Sequence, residues 1–343
     1  MIRTMKYWAL AALVLLGACD KHDPKPVPIP TPVIKGADIS WVTEMESRGF
    51  KFYNAGGQER ELTALMKEIG MNAVRLRVWV NPEGGWNGKA DVVKKAKRAQ
   101  ALGLRVMIDF HYSDSWADPG KQNVPAAWKG KDAAAMAEAV KAHTQEVLQA
   151  LKDEGVGVSW VQVGNEVTNG MLWESGKVAG TNPGQFVSYF HAGYDAVKAV
   201  YPQAQVILHL DNGWKAETLN WFLSLMQGRS LRYDILGLSL YPSYWENNAY
   251  PDWQPKVRQF LANLPALHDS YGKPVMLVEF GMPASQPDKT KAALQQLFAD
   301  TAQYDWFEGI FYWEPEAEKA RNGYDYGAFS NGKPTAALDA FAD

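Results

Sequence analysis

The sequence predicts an α/β protein of the (β/α)8 TIM-barrel class, built as a single domain. Three observations carry that prediction. Eight apolar, β-branched runs alternate with eight segments of helical character. Long loops rich in aromatic and polar residues all follow strands, whereas links from helix to strand, such as Gly70-Met71-Asn72 and Gly103-Leu104, are short. A doubly wound open sheet is the alternative; the strand count and the lack of a Gly-rich phosphate loop after the first strand disfavour it.

Residues 1–18 read as a targeting segment. Arg3 and Lys6 precede the apolar run Tyr7 to Leu16, which is too short to span a membrane as a mature helix. The run closes on Leu16-Gly17-Ala18-Cys19, which resembles a bacterial lipobox and implies cleavage before Cys19 and diacylation of its thiol. An ordinary signal peptide is the other reading. Cys19 is the sole cysteine, so neither an internal disulfide nor a cysteine metal cluster is expected. Residues 19–32 follow as a tether in which Pro24, Pro26, Pro28, Pro30 and Pro32 alternate, a semi-rigid extended spacer. The expected location is the cell envelope, lipid-anchored at an outer membrane or cell surface.

The domain occupies residues 33–343. Strands are predicted at Ile34–Ile39, Ala73–Val78, Arg105–Asp109, Ser159–Val163, Gln205–Leu210, Ile235–Ser239, Val275–Val278 and Ile310–Trp313. Runs this apolar suit strands buried on both faces. Helices are predicted at Gln58–Ile69, Ala90–Leu102, Ala133–Glu154, Pro183–Val200, Ala216–Gln227, Pro255–Tyr271, Asp288–Tyr304 and Thr335–Ala342. The third shows the period best, with Met136, Val140, Val147 and Leu151 on one face.

A net charge of −3 gives no reason to expect nucleic acid. The 14 Trp and 15 Tyr are more telling, because many fall in polar loops, and flat rings suit sugar faces. Two glutamates sit where strands stop: Glu166 after Val163-Gly164-Asn165, and Glu279 in Val278-Glu279-Phe280-Gly281. Strand C-termini are where barrels place chemistry, and a carboxyl pair across one cleft is the minimal equipment for cutting a glycosidic bond. Asn165 could then bind a sugar hydroxyl. Arg75 and Arg77 alternate with apolar residues and so face one side of their strand, where buried charge must be paired; an Arg beside Glu279 would keep it ionised. Tyr241 could hold the nucleophile carboxylate and Trp313 could floor the cleaved sugar. Trp86, Trp116, Trp173 and Trp245 are loop candidates for more distant sugars. Asp109 and His111 suggest sugar contacts or supporting groups rather than a metal, since no His pair has ligand spacing. Neither metal nor cofactor is expected.

These residues together resemble glycoside hydrolase family 53, the endo-β-1,4-galactanases. The similarity runs from about Gly36 to Trp313 through Gly36-Ala37-Asp38-Ile39-Ser40, Asn72-Ala73-Val74-Arg75-Leu76-Arg77, Asp109-Phe110-His111-Tyr112-Ser113-Asp114, Trp116-Ala117-Asp118-Pro119, Gly164-Asn165-Glu166, Asp211-Asn212-Gly213 and Val278-Glu279. The resemblance implies Glu166 as acid/base, Glu279 as nucleophile, retention of configuration, and contact or supporting roles for Asp38, Arg75, Arg77, Asp109, His111, Asn165, Asp211, Asn212, Tyr241 and Trp313. It implies β-1,4-galactan and galacto-oligosaccharides as partners of a monomer. The chain departs from the family at Leu240, where an aromatic is usual, and lacks the Asp-rich insert that binds calcium in some bacterial members. A mannanase or cellulase of the same clan, or a non-catalytic glycan-binding lipoprotein, are the alternatives. An acid paired with an ionised nucleophile predicts an optimum on the acidic side.

Overall fold

The structure is a computed structural model that describes residues 33–180 and 183–342. The targeting segment and tether, Cys19 included, lie outside the described residues.

Eight parallel strands close into a barrel. They are β1 (Ile34–Asp38), β2 (Ala73–Val78), β3 (Arg105–Phe110), β4 (Trp160–Val163), β5 (Gln205–Leu210), β6 (Ile235–Leu240), β7 (Val275–Phe280) and β8 (Phe307–Trp313). Each pairs with its neighbours in sequence, and β1 pairs with β8 to close the ring. Inward side chains recur every second residue. The lower interior is apolar, filled by Met107, Trp160, Ile207, Ile235 and Phe311. Gly36 makes room for that layer: a Cβ there would stand 2.3 Å from the Phe311 ring. One step further along the strands the inward positions turn polar. Arg75, Asp109, Gln162 and His209 follow Ala73, Met107, Trp160 and Ile207, and all four polar side chains are buried. This change of layer puts the site at the C-terminal mouth.

Among the described residues, seven longer helices pack outside the strands, α1 (Leu62–Ile69), α2 (Lys89–Ala101), α3 (Ala133–Asp153), α4 (Pro183–Val200), α5 (Ala216–Gln227), α6 (Gln254–Tyr271) and α7 (Pro287–Thr301), and two short ones, Val42–Ser47 and Lys319–Asn322, lie in loops after β1 and β8. Helix α3 begins where the Asp132 carboxylate accepts the Ala135 N–H. It buries Met136, Val140, Val147 and Leu151. No helix among the described residues is long and apolar enough to cross a membrane.

Two predicted helices change. The segment predicted from Gln58 starts at Leu62, because Glu61 caps it through the Ala64 N–H and Glu59–Arg60 instead pairs antiparallel with Phe52–Tyr53. The last predicted helix is a 3-10 helix, Ala336–Phe341. Its buried residues pair as Ala337 with Ala340 and Leu338 with Phe341, three apart, which suits three residues per turn. Helix α7 also stops three residues short of the predicted Tyr304, and β8 starts at Phe307, ahead of the predicted Ile310.

Candidate active site

Arg75 is the hub. Its side chain is fully buried and spends its donors on four strands. Nε donates to Gln162 (2.7 Å), one Nη to Asp38 (2.7 Å), and the other to Asp109 (2.9 Å) and to Asn165 (2.9 Å), while it also forms an ion pair with Glu279 at 2.8 Å. Burial opposes this charge, but Asp109, Glu279 and Asp38 outweigh it and hold the guanidinium protonated. Removing one member of so dry a network would strand the others.

Glu279 ends near the top of β7. It forms an ion pair with Arg75 and accepts from the Tyr241 hydroxyl at 2.9 Å. Burial raises its carboxyl to about 7, while Arg75 and the Tyr241 hydrogen bond pull it down. Burial and the neighbouring Glu279 push the Tyr241 phenol well above its usual value, so it remains a donor.

Glu166 follows β4 in the left-handed region, at φ 47° and ψ 54°. Strain of this kind clusters at functional sites. Its backbone N–H donates to His209 Nδ1 at 3.2 Å. Gln162 also donates to that nitrogen (2.9 Å), so Nδ1 is the acceptor and Nε2–H donates to Ser239 at 2.8 Å. Burial and Arg75 keep His209 neutral. Ser239 in turn works against the rise of the Glu166 carboxyl and sits opposite Glu279 in the β6–β7 register. Burial first, then the charges of Glu279 and Asp211, hold the Glu166 carboxyl well above the ordinary range. The two carboxyls are thus close enough to feel each other and differ in company: Glu279 faces a cation, Glu166 faces anions. Environments that split a pair in this way assign one as acid and the other as base or nucleophile.

The remaining expected residues fall around this pair. Asp109 accepts from Gln162 and from His111 Nε2 (3.0 Å); burial opposes its ionisation, but Arg75 and His111 hold it below its usual value. Asn165 takes Arg75 on its oxygen and gives one amide hydrogen to the Ala117 carbonyl. Arg77 pairs with Glu314, and its carbon stands 4.3 Å from the Trp116 ring centre, 5.1 Å from Trp41, 5.3 Å from Trp79 and 5.9 Å from Trp313. Four indoles therefore cage one guanidinium, whose Nε and second Nη have no hydrogen-bond partner. Asp211 and Asn212 line a cleft of about 500 Å3 beside Glu166, with Trp214, Lys215, Tyr241, Tyr244 and Lys256.

Three loop tryptophans stand elsewhere. Trp86 lies after a short turn on the β2–α2 loop, Trp173 borders a separate depression with Asn123 and Lys129, and Trp245 packs its ring on Tyr250 at 4.8 Å. Conversely, the sequence reading passed over Gln162, His209, Ser239, Trp41, Trp79 and Glu314. Gln162, His209 and Ser239 had a signal: each is a polar residue at an inward position of an otherwise apolar strand. Among the described residues no group of three His, Cys, Asp or Glu could hold a metal ion.

A closed parallel barrel with two differently tuned carboxyls at its C-terminal mouth, Glu279 buried and Glu166 on the cleft wall, defines a barrel glycoside hydrolase. The chain belongs to glycosyl hydrolase family 53, whose model matches residues 34–341. An arabinogalactan endo-β-1,4-galactanase of Humicola insolens is 34% identical over 307 residues, covering 82% of this chain and 89% of that protein. A fungal β-1,4-galactanase structure superposes with a TM-score of 0.79 at 30% identity, covering 90% of this chain and 98% of the other. The family 53 catalytic domain of Ignisphaera aggregans superposes with a TM-score of 0.78 at 28% identity, covering 92% and 97%.

Proposed function

We propose that the protein is a retaining endo-β-1,4-galactanase acting on galactan and type I arabinogalactan side chains of pectin. The observation that carries the mechanism is the split environment of the carboxyl pair. Glu279, against Arg75 and Tyr241, is the nucleophile that attacks the anomeric carbon. Glu166, raised by burial and by Glu279 and Asp211, gives its proton to the leaving oxygen. The glycosyl-enzyme ester then breaks when Glu166, now ionised, takes a proton from water. The galactan specificity is supported by the relatives, since the barrel and the glutamates alone suit other β-1,4-glycans as well.

The test is product analysis on galactan beside mannan and cellulose, with Glu279→Gln and Glu166→Gln in parallel. Short galacto-oligosaccharides from wild type, and turnover lower by about three orders of magnitude or more in Glu279→Gln, are expected. Release from mannan or cellulose instead would keep the glutamates and remove the substrate; a Gln variant near wild-type rate would remove that residue's role.

We also propose that Cys19 is lipidated and that residues 19–32 hold the enzyme off an envelope membrane. The lipobox-like Leu16-Gly17-Ala18-Cys19 supports this. Fatty-acid labelling that survives Cys19→Ser would refute it.

A further inference from the structure

Directly after the cage tryptophan, the chain reads Trp313-Glu314-Pro315-Glu316. Both glutamates are fully buried. Glu314 is committed: one oxygen pairs with Arg77 and the other accepts the Trp41 backbone N–H at 3.2 Å. Glu316 has no such company. Among the described residues neither of its oxygens has a well-formed hydrogen-bond partner; its own backbone N–H and the Glu314 carboxyl are the groups in reach. Two ionised carboxylates in contact in a dry site are not sustainable, and the Arg77 contact decides which one keeps the charge. The proton therefore resides on Glu316 and is donated to Glu314. Burial, then the charge of Glu314, favours the neutral form of Glu316. The other charged or titratable groups facing the pair are Arg77 from β2 and Asp38 from β1, Lys95 from α2, and Tyr324 from the loop after β8.

We propose that Glu316 is a positioning residue that works as an acid still protonated at neutral pH: by donating to Glu314 it fixes the Glu314–Arg77 pair, and through it the four-indole cage that carries Trp313. The consequence is a second alkaline transition. When Glu316 loses its proton, Glu314 gains a like charge instead of a hydrogen bond and the cage loosens, whatever the state of Glu166.

The test uses the whole chain with Glu316→Gln and Glu316→Leu. Glutamine supplies a donor that cannot ionise. We expect Glu316→Gln to keep kcat/KM near neutral pH within about threefold, because its N–H replaces the lost O–H donor. Its alkaline limb should fall with the loss of one proton, against two in wild type. Tryptophan emission should titrate with alkali in wild type below the unfolding pH and not in Glu316→Gln. Glu316→Leu, which removes the donor, should lose about tenfold or more of kcat/KM at every pH. Equal titration of emission in wild type and Glu316→Gln, no titration in wild type, or full activity in Glu316→Leu would each overturn the proposal. The emission readout needs no substrate, so it stands or falls separately from the galactanase assignment.

Discussion

At the residue scale, function depends on how one protein gives two glutamates different protons. Under the proposed mechanism Glu279 must be ionised to attack, so activity is lost as pH falls through its value, which burial raises to about 7. Under the same mechanism Glu166 must be protonated for the first step, so activity is lost as pH rises through its value, which burial, Glu279 and Asp211 hold well above the ordinary range. The profile is a bell, and both raised carboxyls move it upward from the acidic optimum that ordinary glutamates would give. Tyr241 tests the sign. Its hydrogen bond lowers Glu279, so Tyr241→Phe should raise it and shift the acid limb of kcat/KM to higher pH, with a loss of about tenfold or more at neutral pH. An acid limb that stays in place, or moves down, would remove Tyr241 from this role. Glu166, Glu279, Arg75 and Tyr241 were legible in the sequence because each ends or interrupts an apolar run. His209 carries the same mark, a polar residue interrupting an apolar strand, but its role was not legible, because it lies in partners 30 and 43 positions away, Ser239 and Glu166.

At the element scale, all eight barrel strands were legible, most ends to within a residue, since a parallel strand buried on both faces writes itself as an apolar run; β7 runs two residues past its predicted end and β8 begins three before its predicted start. Helix ends were less so. The start of α1 depends on whether Glu61 caps or continues the helix, and the hairpin that decides it pairs Glu59 with Tyr53, a contact that helical periodicity does not encode. The same two-residue period that aims Arg75 at Glu279 makes the barrel interior intolerant of added volume. Gly36→Ala should cost about 1–3 kcal/mol, because the new methyl meets the rigid, buried Phe311 ring. Chemical denaturation measures this; an unchanged midpoint would mean that β1 and β8 can part without cost.

At the scale of the whole molecule, the barrel separates stability from chemistry. The apolar lower layer, Trp160 and Phe311 among it, closes the floor, and the polar layer above it aims charge at the mouth. The caged Arg77 and the Glu314–Glu316 pair belong to the side of the mouth marked by Trp313, whereas the open cleft with Asp211 and Trp214 lies beside Glu166. The measurement that tests the central claim most directly is proton NMR of the first products formed from linear β-1,4-galactan. Galacto-oligosaccharides that appear first as β-anomers, and that do not appear with Glu279→Gln, are the result expected of a retaining galactanase with Glu279 as nucleophile. First products that are α-anomers, or an undiminished yield from Glu279→Gln, would contradict it.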